Sequence, residues 1–257
     1  MSEAQLITGQ TAPDQPGPSV ALANVALTLD ATAAMLAVDV EQALLAGIPH
    51  QVIKYHSGED ILLQGDVLTE SCLLLEGWAC RYKTLMDGRR QIIGFVLPGD
   101  FCSSWAAGIG AMAHGVKALS AARVAKVDRG VVLGRMSQNS SLVDQFRISA
   151  SQEYTILGAW LLNMGQRKAP ERIAHLFCEL ATRMRKIGLA QVAGGYEVPL
   201  TQLDLADALG LTSVHVNRVL QKLREKGFID FRRGMLSIRD VPALCAYVEF
   251  KDGYLSH

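Results

Sequence analysis

The amino-acid sequence predicts an α+β protein in which a β-roll, one long helix and a small helical domain with a β-hairpin follow one another. Three patterns support this fold class. Short β-type runs separated by glycine turns fill residues 52–100, a proline-free amphipathic stretch fills 140–164, and two short amphipathic segments joined by a glycine fill 199–227. With 257 residues the chain is long enough for two compact domains.

The composition indicates a folded chain without a disulfide framework. Hydrophobic residues make up 49% and charged residues 19%, and no run approaches the roughly 18 apolar residues that a membrane-spanning helix needs. The acidic, polar start lacks the basic and apolar regions of a signal peptide, so we expect a cytoplasmic protein. Five scattered cysteines do not suggest paired disulfides. Residues 1–20 are rich in Pro, Gly, Gln and Ser and are predicted to be a disordered leader.

Strands and glycine turns alternate through the first half of the chain. The β-type runs are 52–55, 60–64, 72–75, 78–83 and 91–97, with one or two more strands at 118–127. Asp87-Gly88 between two of them suits the positive φ angles of a type I′ hairpin turn. Strands at this short, regular spacing predict a sandwich, barrel or β-roll. An Ala/Leu-rich stretch at 31–47 predicts one or two short helices before them.

The proline-free stretch 140–164 has apolar residues at steps of three and four, which indicates one helix face. They are Val143, Phe146, Ala150, Leu157, Trp160, Leu161 and Met164. A helix of about 25 residues is roughly 37 Å long, too long for a small β-roll to cover. We therefore expect a parallel homodimeric coiled coil, and packing wholly on its own domain is the alternative. Gly165 is expected to end the helix, with a hinge at 166–169 and a second helix at about 170–186.

Two short helices and a hairpin are predicted after residue 199. Thr201 and Asp204 have the spacing of a capping box, and Gly210 ends the first helix. Thr212 caps the second helix. The predicted buried stripe of that helix is Val216, Val219, Leu220 and Leu223. With the hairpin at 228–238, these elements predict a winged helix-turn-helix.

The formal net charge is zero, but the charge is divided unevenly along the chain. Residues 1–150 contain 11 Lys/Arg and 14 Asp/Glu, whereas 151–257 contain 14 and 11. Residues 212–233 carry +4. Such a patch is either a solvated helix face or a phosphate-contacting surface, and the helix-turn-helix favours the second. Its basic residues are Arg218, Lys222, Arg224, Lys226, Arg232 and Arg233.

This order of elements resembles the CRP/FNR family of bacterial transcription regulators over about residues 51–248. The motifs that carry the resemblance are Gly58-Glu59, Gly65-Asp66, Gly77, Gly99-Asp100-Phe101 and the segments 199–212 and 216–227. The resemblance implies a cyclic-nucleotide-binding-like sensor domain at 21–136, a dimerisation helix at 137–165 and a DNA-binding domain at 166–257. It also implies a homodimer that activates or represses transcription at a palindromic DNA operator, in contact with RNA polymerase.

The resemblance assigns recognition of bases to the second helix of the motif. Arg218 takes the position of the guanine-reading residue of the family, because the Arg fork matches the O6 and N7 acceptors. Val214 stands where the family often has Glu, and it can contact only a thymine methyl group. We therefore expect a changed half-site. The other candidate DNA contacts are Ser213, His215 and Asn217 for bases, Thr212 at the helix start, and Thr201, Gln202, Lys222, Arg232 and Arg233 for phosphates.

The sequence leaves the effector unidentified. Members of the family that bind cAMP have Gly-Glu and later Arg-Ser where this chain has Ser103-Ser104 and Met112-Ala113. Because no Arg lies between Phe101 and Arg123 to neutralise a cyclic phosphate, we do not expect cAMP to bind. The candidate effector-pocket residues are Gly99, Asp100, Phe101, Ser103, Ser104, Met112 and Ala113.

Other sensor types and other classes of protein have weaker support in the sequence. An iron–sulfur cluster is not expected, since no Cys precedes Cys72. A haem on His56, His114 or a cysteine stays open, as does a redox response, another small ligand or a ligand-binding module without DNA. A cupin-type enzyme would need clustered His on adjacent strands, whereas His56 and His114 stand alone. No catalytic or metal-binding residue is therefore assigned.

Overall fold

A computed structural model describes residues 45, 47–103, 111–189 and 195–255. Three predictions lie outside this part of the chain. They are the disordered leader at 1–20, most of the helical stretch at 31–47, and the position of Ser104.

In the described part of the chain, seven strands form the N-terminal β-roll. They are β1 (Gln51–Tyr55), β2 (Asp60–Leu62), β3 (Glu70–Glu76), β4 (Ala79–Thr84), β5 (Arg90–Val96), β6 (Gly115–Ala118) and β7 (Ala122–Asp128). They make two antiparallel sheets with the strand orders β1-β7-β3 and β2-β6-β4-β5. Leu74, Val116 and Val124 are among the apolar residues that fill the roll. The predicted β-roll is confirmed, and the run at 118–127 contributes to two strands.

The turn between β4 and β5 is a hairpin of another type than expected. The carbonyl of Leu85 accepts a hydrogen bond from Gly88 N at 2.9 Å, and Gly88 has a φ of 85°. Asp87 does not have the positive φ that a type I′ turn requires at its first central position. The turn is therefore type I followed by one left-handed glycine, which lengthens the loop by one residue.

Three helices follow the roll: α1 (Arg129–Gln138), α2 (Ser140–Gln166) and α3 (Ala169–Lys186). The helix break lies one residue after the predicted Gly165 and inside the predicted hinge at 166–169, because α2 ends at Gln166, Arg167 N still donates to Asn163 O at 3.3 Å, and α3 begins at Ala169. A single glycine in a helix costs only about 1 kcal/mol, which the other hydrogen bonds of a long helix tolerate. None of the helices in the described ranges is long and apolar enough to cross a membrane.

The C-terminal region forms the expected winged helix-turn-helix. Its elements are β8 (Tyr196–Glu197), α4 (Gln202–Leu209), α5 (Ser213–Glu225), β9 (Ile229–Arg232), β10 (Met235–Ile238), α6 (Val241–Tyr247) and a 3-10 helix (Asp252–Leu255). The wing has the strand order β8-β10-β9, so a short strand joins the predicted hairpin. Arg233 and Gly234, with φ angles of 50° and 77°, form the two-residue turn of the hairpin.

One apolar cluster joins the roll, the long helix and the winged helix. Phe95 of β5 contacts Trp160 of α2 edge to face, with ring centroids 5.7 Å apart. Phe177 of α3 packs against Phe231 of the wing, with centroids 5.1 Å apart. Helix α3 therefore packs against both the roll and the winged helix-turn-helix.

Candidate nucleic-acid interface

The first helix of the motif, α4, begins and ends as the sequence predicts. Thr201 Oγ1 accepts a hydrogen bond from Asp204 N at 3.1 Å, and Asp204 Oδ2 accepts one from Thr201 N at 3.0 Å. Gly210 ends the helix with a φ of 61°, which costs glycine little. A Cβ at Gly210 would lie 2.6 Å from Met164 Cε near the end of α2, so the flexible Met164 side chain would have to move aside. The turn of the motif therefore packs tightly against the long helix.

The second helix, α5, has one buried face and one exposed face. Thr212 Oγ1 accepts a hydrogen bond from His215 N at 3.2 Å, which satisfies one free N–H at the helix start. The predicted apolar stripe is buried, and it consists of Val216, Val219, Leu220 and Leu223. The opposite face is exposed and carries Ser213, Val214, His215, Asn217, Arg218 and Lys222. Val214 is 61% exposed, so this apolar side chain has no role in the protein core.

The basic residues at the end of α5 and on the wing differ in what they contact. Arg224 Nε donates to Asp230 Oδ1 at 2.8 Å, and Arg232 Nε donates to the same atom at 3.0 Å. Lys226 Nζ lies 5.1 Å from the centre of the Tyr247 ring. Arg224 thus supports the wing internally, whereas Arg233 is exposed at the tip of the hairpin.

A pair of ionic contacts holds α4 against the β-roll. Arg90 of β5 donates from Nη2 to Asp204 Oδ1 at 2.8 Å and from Nε to Asp207 Oδ2 at 2.7 Å. Gln91 Nε2 adds a hydrogen bond to Ala208 O at 3.2 Å. The sequence pattern did not reveal the ionic contacts, because Asp204 and Asp207 lie 114 and 117 residues after Arg90 and no local periodicity links them.

Helix α3 holds a second set of polar contacts around Glu179, whose side chain is fully buried. Glu179 accepts hydrogen bonds from Trp160 Nε1 at 3.1 Å and from Tyr254 Oη at 3.0 Å. Burial raises the pKa of the Glu179 carboxyl. One turn along α3, Arg183 donates to Asp100 Oδ2 at 2.7 Å and to Phe95 O at 3.2 Å. Both sets connect the roll or α2 with the C-terminal region.

The candidate effector residues are spread over several environments. Asp100 contacts Arg183 and also accepts from Leu97 N at 2.8 Å, so it supports the turn formed by Gly99. The Phe101 ring packs on Phe146 of α2 at 4.9 Å. Three further candidates are also described: Ser103 and Met112, which are buried, and Ala113, which is exposed.

A cation that the sequence argument missed lies near these residues. Arg81 of β4 is largely buried and donates to Phe101 O at 2.6 Å and to Glu153 Oε1 of α2 at 2.7 Å. Burial raises the pKa of Glu153, and Arg81 opposes this effect. Arg81 and Glu153 also border a cavity of about 130 Å³ between β5, α2 and α3. Its other charged lining residues are Asp100, Arg183 and Lys186.

The predicted apolar face of α2 is divided between two environments. Phe146 and Trp160 are buried within the protomer, which corrects their assignment to the dimer seam. Met164 contacts Gly210, and Val143 and Ala150 are half-buried. By contrast, Leu157 is 53% and Leu161 74% exposed, together with Tyr154 at 78%. Periodicity could not separate the two sets, because they lie on adjoining parts of one helix face.

The three cysteines of the roll, Cys72, Cys80 and Cys102, are fully buried. Burial raises the pKa of the Cys72 thiol to about 11 and that of Cys80 to about 12, so both are neutral thiols. Within the described residues, no three His, Cys, Asp or Glu side chains come together in a way that could hold a metal ion.

Two family models match the chain. The Crp-like helix-turn-helix domain covers residues 171–247, and the cyclic nucleotide-binding domain covers residues 52–139. The fold and the exposed face of α5 therefore define a DNA-binding regulator in which a β-roll of the cyclic-nucleotide-binding type precedes a winged helix-turn-helix.

Similarities to individual proteins extend over both regions. The nitrogen fixation regulation protein FixK of Bradyrhizobium diazoefficiens is 32% identical over 201 residues, which are 76% of this chain and 81% of FixK. The transcriptional activatory protein AadR of Rhodopseudomonas palustris is 33% identical over 68% of this chain and 72% of AadR. The structure of FixK2 from Bradyrhizobium japonicum matches with a TM-score of 0.69 and 25% identity, covering 77% of this chain and 97% of that one. The chain belongs to the CRP/FNR family, and it is a DNA-binding transcription regulator and not an enzyme.

Proposed function

We propose that the chain acts as a homodimer and reads each half of a two-fold symmetric operator with α5. The observation that carries this proposal is that the exposed face of α5, opposite its buried stripe, presents side chains that are able to contact base edges. Arg218 reads a guanine, and Val214 contacts a thymine methyl group. The phosphate contacts come from the start of α4, from Lys222 and from the tip of the wing, which set the position of the protein on the duplex.

Selection of binding sites from random DNA by the purified protein tests these base contacts. We expect a palindrome whose half-site keeps the guanine opposite Arg218 and has thymine where Glu-containing relatives favour cytosine. A Val214→Glu variant is the matched control and should regain the cytosine, because a carboxylate accepts a hydrogen bond from cytosine N4. Identical half-sites for both proteins would contradict the assigned role of Val214.

The exposed side chains of α2 support the homodimer. Tyr154, Leu157 and Leu161 follow each other at steps of three and four, which is the spacing of a coiled-coil seam. The helix has 27 residues and is therefore about 40 Å long, sufficient for such a seam. In the proposed division, residues 21–136 form the sensor domain, 137–165 the dimerisation helix and 166–257 the DNA-binding domain. A second copy of α2 covers the exposed leucines.

We propose that cAMP is not the effector. The guanidinium of Arg81, which could serve a cyclic phosphate, is already bonded to Glu153 and to two backbone carbonyls, those of Phe101 and Cys102. A phosphate would have to displace these partners and would meet the Glu153 carboxylate. Calorimetric titration of the dialysed protein with cAMP should give no heat of binding at micromolar concentrations, and saturable binding in that range would disprove the proposal.

RNA polymerase is the further partner that we propose. Two relatives, AadR and the FnrL protein of Cereibacter sphaeroides, are named as a transcriptional activatory protein and a transcriptional activator. An activator works by contact with the polymerase at a promoter. We accordingly expect the protein to act in the cytoplasm, where operator DNA and polymerase meet.

A further inference from the structure

Two cysteines from distant parts of the chain lie side by side between α3 and α6. Cys245 Sγ donates a weak hydrogen bond to Cys178 Sγ, and the two sulfur atoms are 3.9 Å apart. A disulfide has an S–S length near 2.05 Å, so the two sulfur atoms would have to approach each other by about 2 Å to be joined. Both residues are free thiols.

The two thiols differ in access to solvent. Cys178 is 3% exposed inside the main apolar cluster, whereas Cys245 is half-buried at the edge of α6. Burial and the neighbouring sulfur raise the pKa of the Cys178 thiol, which lowers its reactivity. An oxidant in solution therefore reaches Cys245 first, and Cys178 lies behind it as the resolving thiol.

We propose that Cys178 and Cys245 form an oxidisable dithiol that closes to an intrachain disulfide when the protein meets a hydroperoxide. The Cys245 thiolate attacks one peroxide oxygen, the O–O bond breaks, and the released hydroxide takes up a proton as water. The resulting Cys245 sulfenic acid is attacked by the Cys178 sulfur, the S–O bond breaks, and a second water leaves. Two thiols and one hydrogen peroxide thus give one disulfide and two waters.

The disulfide would fasten the last part of the chain to α3. We call residues 248–255 the C-terminal strap. Its backbone follows directly from α6, where Cys245 O accepts a hydrogen bond from Phe250 N at 2.8 Å. The strap contacts α2 and α3 through Tyr254, whose hydroxyl donates to Glu179 and whose carbonyl accepts from Thr155 Oγ1 at 2.8 Å. A covalent link at Cys245 therefore restrains both α6 and this strap.

The link would also enclose the DNA-binding motif in a covalent loop. The two cysteines are 67 residues apart in sequence, and α4, α5 and the wing lie between them. Cross-linking so long a segment restricts the unfolded chain, and the resulting stabilisation corresponds to a rise in melting temperature of roughly 5–15 °C.

Peroxide treatment of the reduced full-length protein tests the proposal. After exposure to hydrogen peroxide, the native protein is alkylated, digested without reductant and mapped by mass spectrometry. We expect a cross-linked pair of peptides that contain Cys178 and Cys245, lighter by two hydrogen atoms and released by dithiothreitol. The buried Cys72, Cys80 and Cys102 are the internal controls and should be recovered as thiols. Recovery of Cys178 and Cys245 as thiols, as sulfinic acids or in a disulfide between two chains would overturn the proposal.

Thermal denaturation of the same samples tests the restraint on α6 and the strap. The oxidised wild type should melt at a higher temperature than the reduced protein, and dithiothreitol should reverse the rise. In Cys245→Ser, which replaces a half-buried thiol by a hydroxyl of similar size, peroxide should leave the melting temperature unchanged. Cys80→Ala keeps the pair and should still show the rise. A cross-link that forms without any rise would overturn the proposed fastening.

Discussion

Asp204 combines two roles at the start of α4. One of its oxygens, Oδ2, accepts from the backbone N–H of Thr201 and so caps the helix, and the other, Oδ1, accepts from Arg90 of the roll. The residue that caps α4 therefore also contacts the β-roll. At the residue scale, Arg218 and His175 allow the clearest tests, because Arg218 is exposed on α5 and His175 is buried in the core.

Replacing Arg218 by Ala should weaken operator binding by about 1–3 kcal/mol and affect random DNA little, because a bidentate contact to guanine is lost. Titrations by fluorescence anisotropy with operator and random duplexes measure both affinities. Lys222→Ala is the matched control on the same face, and it should weaken both complexes alike and reduce their salt dependence. Equal losses on the two duplexes for Arg218→Ala would remove its role in base reading.

His175 should make stability depend on pH. Burial and the nearby Arg167 lower the pKa of the ring to about 4 in the folded protein. Because this value lies below the unfolded value near 6.5, stability is present above that pH and lost as the pH falls towards 4. His175→Phe keeps an aromatic ring against Tyr254 and Phe250. Between about pH 7 and pH 5, the wild type should lose about 2 kcal/mol more unfolding free energy than this variant.

Urea denaturation at a series of pH values measures that difference. Glu179, whose raised pKa changes stability in the opposite direction, is present in both proteins and so cancels in the comparison. Parallel pH profiles for the two proteins would show that His175 is protonated equally in the folded and unfolded states.

At the scale of elements, β5 and α4 are joined by the Arg90 ion pairs. Their side chains are only 10–21% exposed, so loss of the cation leaves two carboxylates poorly solvated. Helix α3 also contacts the roll, because Arg183 donates hydrogen bonds to Asp100 and to Phe95. The contact between the domains is thus polar at its margins and apolar in its centre.

Arg90→Met should lower the unfolding free energy by about 2 kcal/mol and increase hydrogen exchange in α4, since Met keeps the apolar stem but not the charge. The matched control is Arg89→Met. Arg89 is the next residue and is paired with Asp87, but this pair is largely exposed and screened by solvent, so its loss should change stability little. If both variants exchange α4 amides at the wild-type rate, the Arg90 pairs do not hold the helix.

At the scale of the whole molecule, the two recognition helices must be held about 34 Å apart to enter successive major grooves. We propose that the α2 seam sets this separation, and Met164 near the end of α2 contacts Gly210 in the turn of the motif. A change in how two α2 helices pair therefore moves both α5 helices.

Leu157→Asp should convert the dimer to monomers and weaken operator binding by about a hundredfold or more, because the two half-sites are then bound independently. Sedimentation velocity and anisotropy titration measure the two effects. Leu85→Asp is the matched control, since Leu85 is similarly exposed, at 57% against 53%, but lies on the β4–β5 hairpin. A dimeric Leu157→Asp protein with wild-type affinity would exclude the coiled-coil seam.

The sequence by itself determined the elements whose signals are local. Glycine turns at short intervals predicted the β-roll, the spacing of Thr201 and Asp204 predicted the start of α4, and the apolar stripe of α5 predicted its buried and exposed faces. The tertiary structure alone decided which parts of the α2 face are covered, how Arg81 and Arg90 are paired, and that Cys178 contacts Cys245. These contacts join residues that are tens of residues apart. Periodicity reports only which side of an element is apolar, so the partner of that side is fixed by packing in three dimensions.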